Sequence, residues 1–119
     1  MHIQLNTTNG VENTASLDRW ADAELRQQLS RFADDIVRVE VHLSDENAGR
    51  AGSADKRCTM EARMSGHGSV AVHEDGENTD RAFRGALDKL KRALDSRKGR
   101  EADHRDRTTI RQAADDLPE

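Results

Sequence analysis

Two segments of the chain alternate between apolar and polar side chains at every residue. In IVRVEVHL, residues 36–43, the apolar positions are Val37, Val39, Val41 and Leu43. In DKRCTMEARMSG, residues 55–66, they are Cys58, Met60, Ala62 and Met64. A period of two is typical of a strand with one buried face and one solvated face. The chain should therefore build a sheet with an open polar face, here formed by Arg38, Glu40, His42, Arg57, Thr59, Glu61 and Arg63.

Two other segments have helical periodicity. Thr14 is a good N-cap for a helix that we expect to end near Ala33, with an apolar face of Leu17, Ala21, Leu25, Leu29 and Phe32. A second helix over residues 79–98 has an apolar face of Phe83, Ala86, Leu87, Leu90 and Leu94. Shorter runs at residues 2–6 and 70–73 predict two more strands, and residues 44–55 read as a loop rich in turn formers.

The order of these elements predicts the fold class. A strand–helix–strand unit joins parallel strands, and the next strands are close enough in sequence to pair as an antiparallel meander. Because each helix has one apolar face, both should pack on the same side of the sheet. We predict an α+β domain over residues 1–98, in two layers, strand-helix-strand-strand-strand-helix, with a four-stranded mixed sheet and both helices on one face. Residues 99–119 are charged and almost devoid of large hydrophobic residues, so we expect a disordered tail.

Composition excludes several classes of protein. Hydrophobic and charged side chains make up 34% and 35% of 119 residues, and no apolar run approaches the roughly 18 residues of a membrane span. The N-terminus lacks the regions of a signal peptide, and the single cysteine allows no internal disulfide, so we expect a cytoplasmic protein without a membrane partner. The chain has no nucleophile elbow, Walker loop or dinucleotide fingerprint, so we expect neither an enzyme nor a small-molecule substrate.

Metal and thiol chemistry are the remaining enzymatic alternatives. His2, His42 and His73 could lie together on the open face, and three imidazoles within reach would bind a metal. Nothing fixes their spacing, so we interpret them as solvated surface histidines and expect no metal and no cofactor. Cys58 has inward parity, whereas a catalytic thiolate needs an exposed, electropositive setting. We therefore predict a small buried core residue at that position.

The net charge of −4 conceals a basic segment. Residues 1–80 have 8 basic and 15 acidic side chains, whereas residues 81–100 have 8 basic and 2 acidic ones, a local charge of +6. The exposed side of the second helix combines Asp88 and Asp95 with Arg81, Arg84, Lys91, Arg92 and Lys98, and a solvated amphipathic face would explain this pattern. The local excess instead favours contact with RNA phosphates, which supply affinity independent of sequence. The candidate RNA-binding residues are Arg57, Arg63, Arg81, Arg84, Lys89, Lys91, Arg92, Arg97 and Lys98.

Four segments, in this order, resemble those of one known family: TASLDRW, FADDIVRVEVHLSDEN, DKRCTMEARMSG and AFRGALDKLKRALD. Over residues 1–98 the chain resembles the ribosome hibernation-promoting factor (RaiA) family, also called the sigma-54 modulation family. It is similar to the short type, which lacks a C-terminal dimerisation domain. The resemblance implies the fold predicted above and binding to rRNA of the small ribosomal subunit, in the decoding channel. There the family blocks mRNA and tRNA access under stress or in stationary phase.

The resemblance also assigns positions. Lys89 and Arg92 match the basic positions of the family's D-K-L-x-R-x-L motif, and Arg57 and Arg63 lie on a strand within the resemblance. Asp80 stands where the family often has tyrosine, and the first helix is acidic where the family is usually basic. We therefore expect a monomeric, ribosome-associated translation inhibitor or stabiliser. The alternative is a divergent regulatory module of the same fold that binds a protein partner through the first helix and Trp20.

Overall fold

The structure is a computed structural model that describes residues 1–8, 11–45, 56–66 and 68–115, with side chains described as far as Gly99. A short 3-10 turn, Ser30–Phe32, follows the first helix. The helices and strands are β1 (His2–Thr8), α1 (Ala15–Gln28), β2 (Ile36–Asp45), β3 (Lys56–Met64), β4 (Ser69–Gly76) and α2 (Thr79–Asp115). This succession confirms the predicted order of elements.

The strands form one sheet in the order β1-β2-β3-β4. Strand β1 runs parallel to β2, and the pairs β2–β3 and β3–β4 are antiparallel. The inner face of the sheet and both helices enclose a single core, and Cys58, Met60 and Ala62 are fully buried in it, as their parity predicts. The α+β class, the mixed four-stranded sheet and the common side of both helices are therefore confirmed.

Both helices begin at a side chain that accepts a hydrogen bond from the first turn. The hydroxyl of Thr14 accepts a hydrogen bond from the Leu17 amide at 3.0 Å, which confirms the predicted N-cap. The side-chain carbonyl of Asn78 accepts one from the Arg81 amide at 2.8 Å. Each cap satisfies an amide that has no partner within its own helix.

The end of α1 lies earlier than predicted. Helical geometry is lost at Leu29, where φ is −103° and ψ is 15°, and the chain then tightens into the 3-10 turn. The apolar periodicity continues through this turn because Leu29 and Phe32 are still buried. The predicted end near Ala33 is therefore wrong, although the residues that suggested it do belong to the core.

The start of β2 corrects one predicted core residue. Ile36 lies opposite Met64 and Arg38 lies opposite Arg63, so Val37 is an extra residue in the ladder. This bulge turns Val37 outward to 51% exposure, while Ile36 is only 3% exposed. The strict alternation read from Val37 to Leu43 thus fails at its first residue.

The junction between β4 and α2 is tight. Strand β4 extends beyond the predicted residues 70–73 as far as Gly76, which pairs with Lys56. A Cβ atom on Gly76 would lie 2.7 Å from the backbone nitrogen of Ala82, so only glycine permits this approach.

Three predicted boundaries have different outcomes. The second helix does not end near residue 98, because α2 continues to Asp115. The domain limit at residue 98 and the disorder of residues 99–119 stay predictions. Of the predicted loop over residues 44–55, the first two residues belong to β2, and residues 46–55 lie outside the described residues.

Candidate nucleic-acid interface

Helix α2 packs on β3 and β4 and turns a charged side to solvent. Its buried side comprises Ala82, Phe83, Ala86, Leu87, Leu90 and Leu94. Residues three or four apart share one face of a helix. The exposed side therefore forms a row that we call the α2 ridge, defined by Glu77, Asp80, Arg81, Arg84, Asp88, Arg92 and Asp95.

The arginines of the α2 ridge are paired with acidic residues four positions earlier. Arg92 lies 2.6 Å from Asp88, and Arg84 lies 3.0 Å from Asp80. A wider pair, at 3.8 Å, joins Arg81 to Glu77 just before the helix. The ridge is thus a row of ion pairs rather than a row of free cations.

Two lysines of α2 reach across to neighbouring elements. The ammonium group of Lys89 lies 3.2 Å from the carboxylate of Glu74 and donates to the backbone carbonyl of His73 at 3.1 Å, both on β4. Lys91 donates to the side-chain carbonyl of Gln28 on α1 at 3.1 Å. Lys89 therefore holds α2 to the edge of the sheet, although its side chain is still 48% exposed.

The last two candidates on α2 differ in exposure. Arg97 is half-buried, with its guanidinium beside Gly68, and it borders a small cavity together with Phe32 and Met64. Lys98 is exposed, and within the described residues it forms no ion pair. Arg97 is thus a packing residue as well as a charge, whereas Lys98 is open to a partner.

The two candidates on β3 lie on the outer face of the sheet. Arg57 donates to both carboxylate oxygens of Asp75 on β4, at 2.8 and 3.3 Å. This hydrogen bonding holds the pKa of Asp75 below its ordinary value, since it stabilises the charged carboxylate. Arg63 is exposed and has no ion-pair partner in the part of the chain that the structure describes.

The nine candidates therefore fall on two surfaces. Arg57 and Arg63 point away from the face of the sheet that the helices cover, whereas the α2 candidates belong to the helical layer. Five candidates pair with described carboxylates: Arg57, Arg81, Arg84, Lys89 and Arg92. The structure does not bring all nine into one patch.

The outer face holds a further cation, on β2, that was not among the nine candidates. Arg38 on β2 lies directly opposite Arg63, so two guanidinium groups occupy neighbouring strands at the same end of the sheet. Arg38 also bonds to Gln4 and to Glu40, the latter at 3.0 Å. Parity had placed Arg38 on the open face, but its proximity to Arg63 depends on strand register.

Trp20, which was proposed together with the first helix as a contact for a protein partner, packs partly within the domain. The ring of Trp20 lies 4.7 Å from that of Phe83, centroid to centroid, and is only half-exposed. The guanidinium of Arg84 sits 5.7 Å from the Trp20 ring and 3.8 Å from Glu24. Trp20 thus contributes to the contact between α1 and the α2 ridge.

The histidines and the cysteine that were considered for metal or thiol chemistry are not assembled into a reactive site among the described residues. His42 and Thr8 share a side-chain hydrogen bond of 2.8 Å. Within the described ranges, no group of three or more histidine, cysteine or acidic residues is arranged to hold a metal ion. Burial raises the pKa of the Cys58 thiol to about 12, so the neutral, unreactive form dominates.

Neither described helix combines the length and the apolar character that a membrane span requires.

A two-layer domain with two helices on one face of a four-stranded mixed sheet belongs, by its fold, to the class of small α+β domains. Residues 5–102 match the sequence profile of the family described as Sigma 54 modulation protein / S30EA ribosomal protein. Because this match covers most of its length, the chain belongs to that family. The resemblance seen in the sequence is thereby confirmed.

Two solved structures have a similar fold. The N-terminal domain of Thermus thermophilus Protein Y is 24% identical, with a TM-score of 0.63, covering 79% of this chain and 96% of that one. A ribosomal subunit interface protein from Coxiella burnetii is 17% identical, with a TM-score of 0.64, covering 83% and 99%. At these identities the likeness concerns the fold alone. No curated protein matches the chain in sequence.

Proposed function

We propose that this protein binds rRNA of the small ribosomal subunit in the decoding channel and blocks mRNA and tRNA access under stress or in stationary phase. The observation that carries the proposal is the family match over residues 5–102. The name of the Coxiella relative, a ribosomal subunit interface protein, supports the same kind of target. The mechanism is steric occlusion in the cytoplasm and involves no chemical step.

The exposure of the α2 arginines supports contact with phosphate. The side chains of Arg92 and Arg81 are 77% and 68% exposed, so they can reach a partner without a change in the backbone. A guanidinium group presents several donors in a plane that matches the oxygens of phosphate. We therefore assign the main grip on rRNA to the α2 ridge.

The ion pairs of the ridge do not prevent this contact. Exposed ion pairs contribute only about 0–1 kcal/mol each, because water and salt screen both charges. A phosphate group can therefore replace a carboxylate at the same guanidinium at a cost of no more than a few-fold in affinity for each pair. Binding in this way exchanges partners and requires no rearrangement of the fold.

Cations on both layers of the domain support occlusion of a channel. A partner with one flat surface could meet either the α2 ridge or the outer-face pair of Arg38 and Arg63, but not both. An RNA channel that surrounds the domain can contact the two surfaces at once. This arrangement favours binding inside an RNA channel over binding to a single flat surface.

Cosedimentation with purified small subunits tests the proposal. If four phosphates are contacted, affinity should fall about 100-fold between roughly 50 and 200 mM salt. We expect the double variant Lys89→Glu/Arg92→Glu to lose cosedimentation at both salt concentrations and to lose inhibition of cell-free translation. Arg92→Glu alone should lose part of the affinity, and it leaves the contact between Lys89 and Glu74 intact.

The matched control is Arg107→Glu/Arg111→Glu, which changes the net charge equally but lies outside the matched residues 5–102. It should cosediment like the wild type. A wild-type protein that stays in the supernatant even at low salt contradicts the proposal. If wild type and Arg92→Glu cosediment equally, contact with a ribosomal protein replaces contact between the α2 ridge and rRNA.

A further inference from the structure

The acidic residues of the α2 ridge occur at regular positions relative to its arginines. Asp80 precedes Arg84 by four residues, and Asp88 precedes Arg92 by four. An acidic residue at this spacing, on the N-terminal side of the base, is the favourable orientation for a helical ion pair. The distances of 3.0 and 2.6 Å show that both pairs form.

These carboxylates occupy the groups that a phosphate would bind. Asp88 meets a terminal guanidinium nitrogen of Arg92, and Asp80 accepts a hydrogen bond from the Nε of Arg84. The side chains of Asp80 and Asp88 are 60% and 57% exposed, so they also project their negative charge toward an approaching polyanion. Each carboxylate therefore weakens binding of RNA in two ways: it occupies the guanidinium group of its arginine, and it repels the phosphate.

Asp95 has a different role from Asp88. It lies three residues after Arg92, but its carboxylate bonds to Arg31, beyond the end of α1. Arg92 is consequently paired with Asp88 alone among the described acids of α2. The closest pairs on the ridge are those of Asp80 and Asp88, since Glu77 and Glu24 lie farther from Arg81 and Arg84, at 3.8 Å in each case.

We propose that Asp80 and Asp88 compete with RNA phosphate for Arg84 and Arg92 and so lower the affinity of the α2 ridge for RNA. The inference rests on the proposed function in that RNA is the partner. Removal of both carboxylates, with the arginines kept, should therefore raise the affinity of the ridge for RNA. Because salt screens these exposed pairs, the gain in affinity should be greatest at low salt.

The test compares Asp80→Asn/Asp88→Asn with the control Asp18→Asn/Asp34→Asn. Both double variants change the net charge by the same amount. Asp18 lies in the first turn of α1 as Asp80 does in α2, and neither control residue has an ion-pair partner within the described residues. The assays are elution from a heparin column and binding to an RNA hairpin by filter retention. Circular dichroism checks that each variant is folded.

We expect Asp80→Asn/Asp88→Asn to elute at higher salt than the control and to bind the hairpin about tenfold more tightly than the wild type, since exposed pairs contribute a few-fold each. The control should change by less than about twofold. Equal shifts for both variants would mean that net charge alone acts, and the inference would be overturned. An unchanged Asp80→Asn/Asp88→Asn variant would overturn it as well. Because heparin and the hairpin require no ribosome, this result stays independent of whether the wild type binds small subunits.

Discussion

Gly85 of α2 lies against the side chain of Glu74 on β4, and a single methyl group there should reveal how the two elements fit. A Cβ atom at Gly85 would lie 2.5 Å from the Cγ of Glu74, well inside van der Waals contact. Glu74 is the residue that pairs with Lys89 at 3.2 Å. The substitution Gly85→Ala must therefore displace Glu74 and loosen the attachment of α2 to the sheet.

Two opposing effects determine the change in the free energy of unfolding. Alanine is favoured over glycine inside a helix by about 1 kcal/mol. Overpacking costs about 1–3 kcal/mol, and loss of the half-exposed pair between Glu74 and Lys89 costs up to about 1 kcal/mol more. We expect Gly85→Ala to destabilise the protein by about 1 kcal/mol. In a Glu74→Ala background the obstacle is gone, so the same substitution should stabilise it by about 1 kcal/mol.

Urea denaturation followed by circular dichroism measures this double-mutant cycle. With a typical slope for a small domain, each change should move the unfolding midpoint by roughly 0.5–1 M, in opposite directions in the two backgrounds. Gly99→Ala is the control, because nothing lies within 4 Å of its added Cβ. If Gly85→Ala stabilises both backgrounds equally, Glu74 does not cover Gly85 and the packing described here is refuted.

Two further predictions concern Cys58 and the C-terminal segment. With its pKa raised to about 12, Cys58 should react with iodoacetamide at pH 8 at least 1,000-fold more slowly in the native protein than in urea, since an unfolded cysteine has a pKa of about 8.5. As pH rises, the Cys58 thiol loses its proton in the unfolded state before it does so in the native state, so the free energy of unfolding should fall by about 2 kcal/mol between pH 8 and 10. The Cys58→Ala variant should lack this contribution. Equal rates of reaction with iodoacetamide in the native protein and in urea would contradict the burial of Cys58. Deletion of residues 99–119 should change the free energy of unfolding by less than about 0.5 kcal/mol, because Leu94 is the last buried residue among the α2 side chains that the structure describes, which reach Gly99. A larger loss in the free energy of unfolding, measured by urea denaturation, would mean that the folded domain includes part of that segment.

The fold was predictable where local patterns decide it. Alternation fixes which residues of β3 face the core, and the side-chain oxygen of Thr14 marks the start of α1 without knowledge of the rest of the chain. The bulge at Val37 was not predictable, because Ile36 and Val37 are both apolar and alternation cannot tell which one the ladder skips. The end of α1 was missed because a 3-10 turn also buries residues at a spacing near three.

The site was predictable in its charges but not in their partners. Spacing of four residues along α2 already suggests the pair between Asp88 and Arg92, since it requires only a helix. The pair between Arg57 and Asp75 depends instead on the register of β3 against β4, in which these two residues lie directly opposite each other. The sequence could not show that the candidates lie on two surfaces. A count of charges along the chain does not say which side of the domain each side chain faces, and only the complete sheet shows this.

The local charge of α2 and its electrostatic effect on a partner are thus separate quantities. A count of residues 81–100 omits Asp80, which stands just outside that segment and pairs with Arg84 within it. Asp80 also stands at a position where the resemblance described in the sequence analysis leads us to expect tyrosine. A change from an uncharged ring to a carboxylate would alter the ridge at one of its arginines without disturbing the buried face of the helix. Under the proposed function, affinity for RNA would therefore change through the acidic residues of the ridge while the fold and the basic motif stay the same.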